Sequence, residues 1–283
     1  MNAPATLPAD AFFLKNGGGQ RFCLYHPPAG PARGAVLYVH PFAEELNRTR
    51  RMAALQARAL AAEGFGVLLI DLAGCGDSSG DFGDARWELW KDDLALAASW
   101  LRRHVDGRFT LLGIRLGALL ALDYAREARH PVDAMLLWQP VLKGAQHLNQ
   151  FLRLRMAGAL LAEGSSAAQA GTQALRAVLQ AGQPLEIAGY ELAPQLAGAL
   201  DALPSLEALA PACPVDWFEA ISGTSQEAPA GAVRAAAAWR AAGVDVRLHP
   251  VQCAPFWATT DITENMAWLD ATSAALRERM HGA

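Results

Sequence analysis

Gly113-Ile114-Arg115-Leu116-Gly117 carries the spacing of a nucleophile elbow but places a guanidinium where the attacking hydroxyl would stand. Flanking glycines permit a sharp, strained strand-to-helix turn and a close backbone approach. Arg115 stays protonated and offers only donors, so it cannot attack a carbonyl. It can grip a carboxylate or phosphate bidentately, or pair with an internal carboxylate. One or the other is required, because an enclosed guanidinium without an anion is very costly. Glu44, Glu45, Asp71 and Asp77 are candidate partners. The number of acids near that rim favours an internal pair.

Those residues need elements to hold them. Short runs rich in Val, Leu and Ile alternate with longer helical patterns, the signature of βαβ units and a mostly parallel sheet flanked by helices. The pattern predicts strands at Arg21–His26, Ala35–His40, Gly66–Asp71, Phe109–Gly113, Ala134–Trp138, Val215–Ile221 and Val244–Val251. It predicts helices at Arg50–Glu63, Trp87–His104, Leu116–Ala128, Ala232–Ala242 and Glu264–Arg279. Between Leu142 and Pro211 the alternation breaks into Ala-, Gln- and Leu-rich helical sequence interrupted at Gly164, Gly171, Pro184 and Pro194. This predicts a helical lid, residues 142–211, inserted into a core domain of residues 1–141 and 212–283. Such a lid would lie over the carboxyl ends of the strands, where open α/β sheets bind ligands. A peripheral helical hairpin is the alternative.

Composition narrows the class. The 283 residues carry 24 Lys and Arg against 28 Asp and Glu, a net charge of −4, and 52% are hydrophobic. That balance excludes a disordered chain. The absence of a dense basic cluster argues against a nucleic-acid partner. No apolar run approaches the ~20 residues of a membrane span, and Met1–Thr6 has no charged n-region of a signal peptide. Cys23, Cys75, Cys213 and Cys253 are scattered, which fits reduced thiols in the cytoplasm and neither a disulfide frame nor a zinc site. No cofactor or metal is expected. The expected partner is a small-molecule substrate or ligand, and a homodimer stays open.

Two further segments join the elbow. Tyr38-Val39-His40-Pro41-Phe42 closes a strand, and Asp71-Leu72-Ala73-Gly74-Cys75-Gly76-Asp77-Ser78 is a glycine-rich loop after another. With them, the sequence resembles the α/β-hydrolase superfamily and, more narrowly, the exosortase A system-associated hydrolases of the second type. The stretches that carry the narrower likeness are His40 to Asn47, Asp71 to Asp84, Gly113 to Leu120, Leu137 to Leu142 and Ala188 to Leu192. The resemblance implies a bacterial protein linked to exopolysaccharide production and exosortase-dependent sorting. A name assigned by fold does not establish a reaction.

The resemblance also implies a histidine base in the loop after the last strand, where Phe256 or Trp257 stands instead. His249 lies earlier and reads as a strand residue, and Glu219, the nearest acid, has no obvious histidine to orient. Cys75, Ser78, Ser79 and Ser222 are loop residues to which the nucleophile's role could have moved, and Arg115 could lower the thiol pKa. His40 beside Glu44 is the better candidate for chemistry without a covalent intermediate, as a general base on water. A structural histidine holding the loop is the competing reading. The N–H groups of Phe42 and Leu116 would stabilise developing negative charge, since Pro41 has none to give. Trp138 and Trp257 are candidate pocket walls. The expected function is hydrolysis of an acyl ester, thioester or related carbonyl substrate without the usual triad. The alternative is a catalytically silent protein binding an anionic small molecule or a partner protein.

Overall fold

The computed structural model describes residues 8–17, 19–163, 171–223, 226–259 and 261–281. Met1–Thr6 and Gly164, both used above, lie outside the described residues.

Strands β1 (Asp10–Asn16), β2 (Gly19–His26), β3 (Gly34–Val39), β4 (Phe65–Ile70), β5 (Arg108–Ile114), β6 (Ala134–Trp138), β9 (Val215–Ile221) and β10 (Val246–Gln252) form one sheet. Its order is β1-β2-β4-β3-β5-β6-β9-β10. Pairing is parallel from β4 across to β10 and antiparallel where β2 meets β1 and β4. The remaining strands, β7 (Leu185–Ile187) and β8 (Tyr190–Leu192), make a separate hairpin.

Both faces of the sheet are covered, and the two-residue period of the strands assigns side chains to each. Leu37, Val39, Leu111, Leu137 and Trp217 face one core with α2 (Trp87–His104) and α3 (Leu116–Glu127). Val36, Tyr38, Leu112, Leu136, Trp138 and Phe218 face the other, against α1 (Glu44–Ala62) and α8 (Met266–His281). This is why the central strands read as nearly unbroken apolar runs. Helix α7 (Ala230–Ala241) closes the crossover from β9 to β10.

Between β6 and β9 the chain leaves this alternation. It builds α4 (Gly144–Glu163), α5 (Thr172–Gln180), the β7–β8 hairpin and α6 (Pro194–Ala202). Pro194 at the first turn of α6 suits a position whose N–H would be unpaired anyway. The hairpin docks on the core through Tyr190, whose ring lies 5.1 Å from that of Phe82.

Candidate functional site

Three strands end on backbone that side chains rarely adopt. Ala43 after β3, Arg115 after β5 and Gln139 after β6 have φ of 48°, 55° and 43°. Such strained non-glycine residues cluster at functional sites. The elbow geometry is therefore intact around Arg115. Its N–H donates to the carbonyl of Trp138 at 2.9 Å, and its own carbonyl accepts from Ala118 at 3.1 Å. The glycines are demanded by space. A side chain at Gly117 would collide with the carbonyl oxygens of Val39 and His40, and one at Gly113 with Ala118.

The guanidinium finds its anion inside the protein. Arg115 Nε donates to Glu45 Oε1 at 3.1 Å, a long 3.5 Å contact joins Nη1 to the Gln139 carbonyl, and the group lies 5.5 Å from the Trp257 ring. Among the described residues Nη2 has no protein acceptor. Glu44 and Glu45 open α1, where two carboxylates also suit the helix N-terminus. Burial pushes the Glu45 carboxyl up to about 7 against the opposing pull of Arg115. Burial raises Glu44 too. The Oε2 atoms of both acids are buried without a hydrogen-bond partner.

Two cavities flank the guanidinium. One of about 300 Å³ runs between Glu44, Glu45, Phe42 and Trp257, and the other, of about 190 Å³, reaches Gln139, Gln146 and Glu219. Arg115, His147 and Gln150 line both. Glu219 accepts from the Trp217 indole N–H at 2.7 Å, and burial pushes its carboxyl up to about 7.

His147 on α4 is the residue that sequence reasoning missed. It is 6% exposed, and neither ring nitrogen has a partner. Burial first, then the nearby Arg115 charge, pushes its pKa down to about 3, so the imidazole is neutral. No motif marks it. Only its burial opposite Arg115 does.

Several expected site residues serve the frame instead. His40 is buried; its Nδ1 lies 2.7 Å from the Pro41 carbonyl and its Nε2 accepts from the Leu72 N–H at 3.2 Å. With both nitrogens engaged, it has none left to take a proton from water. Asp71 takes Arg50 at 3.0 Å and the Asp77 N–H at 3.0 Å, so it is no partner for Arg115, and Asp77 is exposed. The Ser78 hydroxyl ties the Phe22 N–H to the Asp71 carbonyl, and Ser79 accepts from Gln20. Cys75 is buried, and desolvation pushes its thiol up to about 12, which opposes a thiolate. Trp138 is fully buried against α8, its indole N–H on Thr272 at 3.0 Å, and it walls no cavity described above. Phe42 and Leu116 do adjoin each other, around a gap of about 10 Å³ that Cys75 also lines. Neither of their N–H groups reaches a protein acceptor among the described residues. In the loop after β10, Phe256 and Trp257 are both buried.

A mostly parallel sheet covered on both faces, with a strained elbow between β5 and α3, defines an α/β-hydrolase. The chain belongs to the serine aminopeptidase S33 family, whose model matches residues 30–196. It is similar in structure to Est1E from Butyrivibrio proteoclasticus with ferulic acid bound, at a TM-score of 0.64 and 14% identity, over 96% of this chain and 100% of that one. Proline iminopeptidase from Mycobacterium smegmatis matches at 0.61 and 15%, over 96% and 99%. A thermostable carboxyl esterase from Bacillus coagulans, in complex with glycerol, matches at 0.61 and 15%, over 97% and 100%. At these identities the likeness concerns the fold. A search of the curated proteins finds no match. No helix among the described residues is long and apolar enough to cross a membrane.

Proposed function

We propose that this chain is a hydrolase-family protein of a bacterial exopolysaccharide or exosortase system that handles a small molecule without forming an acyl-enzyme. The observation that carries the reading is the Arg115–Glu45 pair in the elbow. The position that would attack a carbonyl is a cation already committed to a carboxylate. With Phe256 and Trp257 in the loop after β10, the Ser–His–acid mechanism loses its base as well. The segment 142–211 acts as a lid, because α4 brings His147 and Gln150 onto both cavities. The exosortase context rests on the motifs quoted above, and the free cysteines suit a reducing cytoplasm.

Turnover of an ester or thioester at this site uses water. Glu45 or Glu219, each pushed up to about 7, then serves as the general base, a pKa well matched to neutral pH. Arg115 Nη2 and the Phe42 and Leu116 N–H groups meet the negative charge that develops on the carbonyl oxygen. A second reading, binding without turnover, is favoured by the commitment of Arg115 Nε to Glu45.

Rapid-mixing kinetics with p-nitrophenyl acetate and a simple acyl thioester test the proposal. The expected trace has no burst, and any steady turnover rises through a midpoint near pH 7 and is lost in Glu45→Gln or Glu219→Gln. A burst equal to the enzyme concentration overturns it.

A further inference from the structure

We propose that the larger cavity, between Arg115, the start of α1 and His147, holds a neutral ring-shaped polyol with the chemistry of a hexopyranose. The inference rests on the non-covalent reading above and deepens it by naming the ligand class.

Residues that line the cavity carry polar atoms that the protein leaves unpaired just behind its surface. Glu44 Oε2, Glu45 Oε2 and both nitrogens of His147 are buried with no partner. Buried polar groups are ordinarily paired, and each exception calls for an explanation. The inventory of these atoms selects the ligand. The two carboxyl oxygens, when ionised, require donors, while Arg115 Nη2 requires an acceptor. A neutral imidazole presents one N–H and one lone pair, so it asks for both. Simple carboxylates supply acceptors alone, and phosphate, though its P–OH can donate, brings a net negative charge against Glu44 and Glu45. Hydroxyl groups donate and accept, so a molecule bearing several of them on one edge can answer these atoms once the Glu44, Glu45 and His147 side chains turn toward it.

The remaining wall explains the ring. Phe42, Phe151, Leu154 and Trp257 line the same space as those polar groups. A pyranose has an apolar C–H face and a hydroxylated rim, and both surfaces are provided. The volume of about 300 Å³ falls at the lower end of small-molecule pockets, which span roughly 300–1,000 Å³. Gln150 on the lid adds an amide with both donor and acceptor at the mouth.

Titration calorimetry on the purified full chain tests this with D-glucose, D-galactose and D-mannose against sodium acetate and inorganic phosphate. The expected result is saturable binding of at least one hexose and none of either anion. Loss of the imidazole in His147→Ala weakens that hexose about tenfold, and His147→Gln, which keeps a donor and an acceptor, restores part of it. An unchanged thermal midpoint certifies the folding of each variant. Should His147→Ala fail to fold, Glu44→Gln provides the second reading, with a smaller loss of the same hexose. Binding of acetate or phosphate in place of the hexoses overturns the inference, and so does silence toward all five. The non-covalent reading survives both results, because only a burst or a covalent adduct overturns that.

Discussion

The glycine-rich loop from Asp71 to Asp84 and the cleft around Arg115 are both dense in the residue types that perform chemistry, and they treat their polar groups in opposite ways. In and beside the loop the buried hydrogen-bonding groups are largely spoken for. Asp71 holds Arg50 and the Asp77 N–H, Ser78 bridges Phe22 to Asp71, and His40 is clasped by Pro41 and Leu72. Beneath it Asp93 accepts from Ala73, Asn16 and Arg21. Around Arg115, carboxylate and imidazole atoms are buried with nothing to bond. A satisfied network holds a fold in one shape. An unsatisfied one is costly and persists where something else completes it. Unpaired atoms also occur singly elsewhere, at Tyr38 and Trp268 among others, but around Arg115 they gather beside two cavities, and that coincidence is what the proposed binding region rests on.

The largest effect expected from this contrast is on stability. Asp93→Ala leaves Arg21, 3% exposed, without its carboxylate. Urea unfolding should show a loss of about 3–5 kcal/mol, the range for a broken buried pair. A loss below ~1 kcal/mol would mean that the loop is not the structural member of the comparison.

Arg115→Ala should cost less, about 2 kcal/mol at pH 8, because Glu45 can take up a proton once its cation is gone. The sign with pH follows from Glu45. Its folded pKa is raised to about 7, so below that the acid is largely protonated and the pair is weakened in the native protein too. The penalty of Arg115→Ala therefore shrinks between pH 8 and pH 5.5. Unfolding curves at both values check it, and an equal penalty would contradict the pairing.

The smallest effect concerns Cys75. With its thiol pushed up to about 12 inside the core, iodoacetamide at pH 8 should leave it unmodified in the folded chain and label it in urea, as read by peptide mass mapping. Rapid labelling of the folded protein would reopen the loop as a source of nucleophile.

Much of the frame was legible in the amino-acid pattern, because its cause is local. The runs Ala134–Trp138 and Val215–Ile221 and the helix Trp87–His104 stand where their periodicity puts them. Helix α1 starts at Glu44, earlier than the expected Arg50, because the turn at Ala43 launches it directly from the end of β3. Strand β1 escaped notice because its inward residues Phe12 and Leu14 are only half-buried at the sheet edge, which blurs the alternation. The β7–β8 hairpin turns at Ala188-Gly189, both at positive φ, and with alanine in place of the usual Asn or Asp only Gly189 hinted at it in the sequence.

The site was legible in one half. The spacing of Gly113 and Gly117 announced the elbow, and the cost of a bare guanidinium announced an internal carboxylate. Which carboxylate depends on the direction in which α1 leaves β3, and that puts Glu45 rather than Asp71 beside Arg115. His40 looked like a base because a strand-end histidine near acids is a familiar arrangement. The Leu72 N–H that occupies its Nε2 comes from the loop after the neighbouring strand β4 and leaves no mark in the sequence around His40. His147 could be found only by folding α4 across the cleft.

The central claim, that the elbow works without covalent chemistry, is most directly tested by the intact mass of the folded chain. The chain would be incubated with excess fluorophosphonate and, separately, with p-nitrophenyl acetate at neutral pH. The account predicts an unmodified chain in both cases. A stoichiometric phosphonyl or acetyl adduct at a single cleft residue would contradict it.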